Sequence, residues 1–165
     1  MSFYKELLAS NAITKVYAVV DNEGTENPWE CDVGFEYKLE SRNFFMASEN
    51  MPELTDKDYW FEPIYAYIHS GMAVSTTPFS CKWDSGKLGY VAVKRPSKGG
   101  EFKTRKAFMK HLNVMTTLLD SFIKGDCYAI VVERDQEQVE YLCGYIGDHK
   151  TSGILEDAAT LARNL

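Results

Sequence analysis

The sequence predicts an α+β fold, a mostly antiparallel sheet of about six or seven strands packed against one long helix and a C-terminal helix. Three observations carry this. Strand-like stretches come in consecutive groups joined by turn residues and do not alternate one for one with helices. A single long segment beginning at Thr104 carries a sustained helical stripe. Aromatic content is high, with 10 Tyr, 9 Phe and 3 Trp, and these residues favour half-buried pleated surfaces.

Taken in order, Ser2 is a candidate cap for a short helix from Phe3 to Ser10, with Leu7 and Leu8 on its buried side. Lys15 to Val20 reads as the first strand, and DNEGTENP after it is turn chemistry throughout. Trp29 to Leu39 alternates cleanly. Cys31, Val33, Phe35, Tyr37 and Leu39 face one way, and Asp32, Gly34, Glu36, Lys38 and Glu40 the other. One wet and one buried face is the mark of an antiparallel sheet. NFFMA fits a strand or a helical turn, and ENMPELTDKD a loop with one short helix that Thr55 would cap.

Tyr65 to His69, Met72 to Thr77 and Leu88 to Val93 read as three strands, turned by Ser70-Gly71 and by the connection Pro78 to Gly86. After the loop RPSKGG, Phe108, Leu112, Met115, Leu119 and Phe122 recur at spacings of 4, 3, 4 and 3, an amphipathic stripe. Gly125 stands where a C-terminal glycine cap belongs. Cys127 to Glu133 and Val139 to Ile146 form a hairpin over RDQEQ. The tail from Thr151 is a helix with Ile154, Leu155, Ala158 and Leu161 inward.

A chain of 165 residues is expected to form a single domain, residues 1–165. Such a chain buries roughly 70% of its unfolded surface, so it needs no disulfide or metal staple. The four cysteines, Cys31, Cys81, Cys127 and Cys143, form no CxxC pair, and the histidines lack zinc-ligand spacing. P-loop, GxGxxG and HExxH motifs are missing, so no cofactor or metal is expected. MSFYKELLASNAI has neither the basic start nor the apolar run of a signal peptide, and no apolar stretch has membrane-spanning length. These features predict a cytoplasmic protein with reduced thiols.

The net charge of −6 hides a segregated pattern. Residues 1–60 hold 12 acidic and 5 basic side chains, residues 82–111 hold 2 and 9, and residues 112–165 hold 9 and 4. The basic middle contains Lys94, Arg95, Lys98, Lys103, Arg105, Lys106 and Lys110, interrupted only by Glu101. A flexible basic loop entering a helix N-terminus offers lysine charge and free amides to a phosphate, which makes this segment a candidate nucleic-acid site. The competing reading is a solvated loop and helix face. The acids Glu23, Glu26, Glu30, Asp32, Glu36 and Glu40, with Glu133, Asp135, Glu137 and Glu140, would imitate nucleic-acid phosphates if they shared one surface. As alternating residues on wet sheet faces they are ordinary solubilising charge.

The stretch from Pro63 to Val93 gathers the chemistry-bearing residues: His69, Ser75, Thr76, Thr77, Ser80, Cys81, Trp83, Asp84 and Ser85. A thiol, an imidazole and a carboxylate this close suggest a hydrolase or transferase. In it His69 deprotonates Cys81, Asp84 orients the imidazole, and the thiol attacks an acyl carbon. The structural alternative makes Asp84-Ser85-Gly86 a turn, Cys81 a small buried hydrophobe, and the hydroxyls partners of strand-end backbone.

HSGMAVSTTPFSCKWDSGKLGYVAV resembles an uncharacterised protein family associated with bacteriophages and mobile elements. The matching residues are His69, Ser70, Gly71, Ser75, Thr76, Pro78, Phe79, Ser80, Cys81, Trp83, Asp84, Ser85, Gly86, Gly89 and Tyr90. Weaker similarity runs through CYAIVVE to CGYIGD, from about Tyr59 to Asp148, and leaves the N-terminal third outside. The resemblance implies a phage or mobile-element origin and host cytoplasm, but no activity. The leading expectation is a small protein that binds a host macromolecule, a host protein first, as a possible inhibitor of a host enzyme or defence system. Thiol catalysis at Cys81, and nucleic-acid binding through residues 94–110, are the alternatives.

Overall fold

A computed structural model describes residues 4–21, 23–30, 34–48 and 55–164. Among them the chain forms nine strands and two helices, and the strands make two antiparallel sheets rather than one. The chain divides into two compact units. Segments up to Glu26 and from Gly125 onward make the first, and Asn27–Lys124 makes the second. No helix of the described residues is long and apolar enough to cross a membrane.

The first unit has the strand order β1-β2-β8-β9: β1 Lys5–Ser10, β2 Thr14–Val20, β8 Cys127–Arg134 and β9 Glu137–Ile146. Where a helix is expected over residues 3–10, the described part is a strand, and Ser2 and Phe3 lie outside the described residues. The cause is pairing with β2 across a tight turn. The Asn11 carboxamide oxygen accepts from the Ile13 and Thr14 amides at 3.0 and 2.7 Å, which folds the chain back on itself. Leu7 is exposed on this edge strand, and Leu8 packs on the core.

The β8–β9 hairpin forms as expected, but its turn is only Asp135-Gln136, both with positive φ. That is the turn twist matching a right-handed hairpin, here without glycine. Helix α2, Ile154–Asn164, lays Ile154, Ala158 and Ala162 on Val16, Ala18, Ile130 and Val132. Leu155, expected to point inward, is exposed, and Ala162 takes a place on the stripe. Tyr145 on β9 donates to Asp157 of α2 at 2.8 Å. Burial, then that carboxylate, pushes its phenol above the ordinary range, so the fold favours the neutral form. This contribution is present below about pH 10 and fades as pH rises through the folded pKa. Tyr145→Phe is therefore expected to lower stability by up to about 1 kcal/mol at neutral pH. In urea unfolding the wild-type advantage should vanish at strongly alkaline pH.

The second unit is a five-stranded sheet with order β4-β3-β7-β5-β6: β3 Glu36–Ser41, β4 Phe44–Ala47, β5 Tyr59–Ile68, β6 Met72–Ser75 and β7 Ser85–Lys94. The strand read from Trp29 begins at Glu36. Residues 31–33, including Cys31 and Asp32, lie outside the described residues. The phase holds where it can be seen, with Tyr37 and Leu39 buried and Lys38 and Glu40 exposed. NFFMA supplies strand β4, and most of ENMPELTDKD is outside the described residues. β5 starts six residues earlier than Tyr65 and carries Pro63 in its interior. Proline is tolerated there because β6 pairs only with Tyr65–Ile68, leaving Pro63 on a locally open edge.

Helix α1, Arg105–Lys124, forms as its stripe predicts. Thr104 caps it, its hydroxyl accepting from the Ala107 amide at 3.1 Å, and Gly125 ends it at φ 79°. Phe108, Leu112 and Leu119 are fully buried on Ile64, Ala66, Val91 and Val93. These strand residues define the inner face of the sheet. Tyr59, Phe61, Tyr65 and Tyr67 alternate with the inner residues of β5 and so take the outer face.

Candidate functional site

The loop between β6 and β7 brings the sequence-predicted cluster together around Asp84. Backbone pairing fixes its ends. The Ile68 amide donates to the Asp84 carbonyl at 2.7 Å, and the His69 amide to the Gly71 carbonyl at 3.1 Å. The Ser85 hydroxyl donates to the Cys81 carbonyl. One carboxylate oxygen of Asp84, Oδ2, lies 3.4 Å from His69 Nδ1 and accepts from Cys81 Sγ at 3.8 Å. His69, Cys81 and Asp84 thus converge, with the carboxylate at the hub.

The thiol hydrogen bond runs to the carboxylate, and no Cys81–His69 hydrogen bond exists among the described residues. An imidazole that activates a thiol must take its proton directly or through a water. The His69 side chain is 65% exposed and lies against Tyr67, with ring centroids 6.5 Å apart and planes at 27°. Phe79 flanks the same tyrosine at 6.0 Å. The chain after Cys81 bends into β7 rather than into a helix, so no helix N-terminus supplies oxyanion donors there.

The remaining motif residues are mostly structural. Ser75 accepts from the Thr77 amide at 3.0 Å, a local turn, and Thr76 donates to Asn113 of α1 at 2.7 Å. Ser80 is exposed. A Cβ on Gly71 or Gly86 would meet nothing within 4 Å, so neither glycine is required by space. Gly89 is different, because a Cβ there would lie 2.0 Å from the Lys38 carbonyl oxygen. Trp83 is the exception among the side chains. Its ring is 96% exposed, at the tip of the braced loop. Beside it is a shallow cavity of about 300 Å³, bordered by Ile68, Asp84 and Leu88. The sequence carried Trp83 only as a motif residue, since periodicity says nothing about a side chain outside a strand.

The basic segment is partly consumed by the fold. Arg105 donates to Glu62 through Nε at 2.7 Å, Lys98 pairs with Asp58 at 3.0 Å, and Arg95 donates to the Tyr59 carbonyl at 3.1 Å. Lys98, followed by the Thr55 hydroxyl, holds the Asp58 carboxyl below its ordinary range. Lys94, Lys103, Lys106 and Lys110 remain exposed. Phe102 packs on Phe108 and His111 within the core, so neither phenylalanine is free to stack on a base. The loop's glycines instead border a cleft of about 370 Å³ with Phe35, Glu36, Lys94 and Phe102.

The acidic residues fall into both units. Glu23, Glu26, Glu133, Asp135, Glu137 and Glu140 belong to the first, and Glu30, Glu36 and Glu40 to the second. Asp32 is outside the described residues. By sequence the first unit holds 12 acids and 5 bases, net −7, and the second 12 and 13, net +1. The periodicity argument also missed Glu6 and His149, which meet at 3.5 Å in the first unit. Comparison with protein-family models, curated proteins and solved structures finds no match to this chain.

Proposed function

We propose that the chain acts by binding a host macromolecule, with a protein as the partner and Trp83 at the centre of the contact. The exposure of that ring, 96%, on a loop tied by Ser85, Asp84 and the Ile68 amide carries the reading. A tryptophan pre-positioned in water loses little freedom on docking and has a large apolar area to bury, the usual make-up of an interface hot spot. Ile68, 44% exposed, and the cavity beside the ring would seat the partner's side chains. The phage resemblance makes a host enzyme or defence component the expected target.

Tagged protein is expected to recover one host protein in near-equal amount after nuclease treatment. Trp83→Ala should weaken that complex at least about 30-fold, while Cys81→Ala leaves it unchanged. Equal capture by Trp83→Ala would reject the site, and loss with Cys81→Ala would return thiol chemistry to the front. One observation favours nucleic acid as a second reading. The outward positions of β5 and β7 include Phe61, Tyr65, Tyr67, Lys87, Tyr90 and Lys94 and no acid, with Tyr65 directly opposite Lys87. Aromatic rings beside lysines on one sheet face suit single strands. Capture of nucleic acid alone, lost as salt rises, would select that strip.

A further inference from the structure

The first unit holds an open cavity of about 530 Å³, a volume typical of small-molecule sites. Its walls come from four stretches of chain, one of them the start of α2 at Leu155. Tyr4 and Glu6 come from the start of β1, Asp126 and Tyr128 from the start of β8, and Asp148 and His149 from the turn after β9. The Tyr4 and Tyr128 rings lie 6.0 Å apart, tilted at 53°, forming an open corner instead of a closed stack. The His149 ring meets Tyr128 edge to face at 4.5 Å.

The corner is aromatic and the field around it is negative. Tyr4 donates to Glu6, and that bond, then burial, holds its phenol up at about 12. Burial raises Tyr128 as well, followed by Asp126, and Glu6 and Asp148 also contribute. Both rings are therefore neutral phenols at physiological pH, with electron-rich faces. Three carboxylates on the wall, Glu6, Asp126 and Asp148, stand against two basic side chains, Lys150 and His149. Glu6 is engaged by Tyr4 and His149, and Asp148 by the Lys150 amide at 2.7 Å. Asp126 is exposed and makes no side-chain hydrogen bond among the described residues.

Anions are repelled by such a wall. A bare metal ion does not fit either, since among the described residues no group of His, Cys, Asp and Glu is placed to hold one. The chemistry that matches spread carboxylates and aromatic faces is an organic cation that carries its charge on an ammonium head. We propose that this cavity binds an organic ammonium ion, its charge seated in the Tyr4–Tyr128 corner and faced by Asp126. The ion is either a free quaternary amine or a lysine-like side chain.

The whole chain would be titrated with choline, with n-butylammonium and with 3,3-dimethylbutanol, the uncharged carbon counterpart of choline, following the Tyr and His149 resonances by NMR. Saturable shifts are expected with at least one cation, and binding of the alcohol about tenfold weaker or absent. Preference for choline identifies a free quaternary amine, and preference for butylammonium a lysine side chain. Tyr128→Phe should retain binding and Tyr128→Ala should lose at least about fivefold. Asp126→Asn, a near-isosteric change at an exposed position, should also weaken the cations and leave the alcohol unaffected. Equal binding of choline and the alcohol would overturn the proposal. So would the absence of saturable shifts with both cations, or wild-type cation affinity in Asp126→Asn and a folded Tyr128→Ala.

Discussion

Gly89→Ala is expected to lower stability by about 3–5 kcal/mol and to release β3 from the five-stranded sheet. Gly89 lies opposite Leu39 in the β3–β7 ladder. A methyl there would lie 2.0 Å from the Lys38 carbonyl oxygen and 2.9 Å from its carbon. Those atoms are backbone, so no rotamer change relieves the clash, and the two strands must part. Urea unfolding measures the loss, and hydrogen exchange should show amides of Glu36–Leu39 losing protection first. Gly86→Ala is the matched control, since its added methyl meets nothing within 4 Å. If Gly89→Ala were as stable as that control, β3 could not approach β7 as closely as described.

Trp29→Ala carries the second large effect, about 3–5 kcal/mol. The ring is 1% exposed, and it meets Phe35 and Tyr37 edge to face at 5.5 and 5.2 Å. Its Nε1–H donates to the Met115 carbonyl at 2.9 Å, a bond from a turn residue to the middle of α1. Trp29→Phe separates the contributions. It keeps an aromatic ring but leaves that carbonyl without the indole donor, and should lose about 1–2 kcal/mol. Thermal unfolding of the three proteins orders them. A Phe variant as unstable as the Ala variant would mean that the hydrogen bond, not the packing, dominates.

The legible parts of this fold are those where one face of one element meets water. Alternation placed Tyr37 and Leu39 in the core, and the 4-3 spacing placed Phe108, Leu112 and Leu119. Glycine chemistry located the end of α1 at Gly125. Trp29 was read as the start of the strand to Leu39, but it lies in a turn, and its partner is a helix carbonyl distant in sequence. The failures concern pairing. KELLAS contains good helix formers, and only hydrogen bonding to β2 makes it a strand. Two sheets replace one because Val20 pairs with Tyr128, a long-range choice that no local pattern encodes.

The site was half legible for the same reason. Proximity in sequence grouped His69, Cys81 and Asp84 but left their convergence open, because the order of their hydrogen bonds is a matter of three-dimensional geometry. Charge counting found the basic segment but not that Glu62 and Asp58 already occupy Arg105 and Lys98. Reversing the charge of Arg105 would therefore disturb folding as well as any anion contact. The pairing of Glu6 with His149 went unnoticed because it spans nearly the whole chain.

The splice of one unit into the other has a kinetic consequence during synthesis. β2 leaves the ribosome early, but its second partner, β8, follows about a hundred residues later, a separation with a substantial closure entropy if the intervening chain is loose. Asn27–Lys124 is contiguous and can collapse on its own while translation continues. Once collapsed it is no longer a long floppy loop, and the late closure of β2 on β8 becomes the joining of two ends of a compact insert. The nascent N-terminal hairpin meanwhile exposes an unpaired strand edge, the interval in which this chain is most open to mispairing with its neighbours.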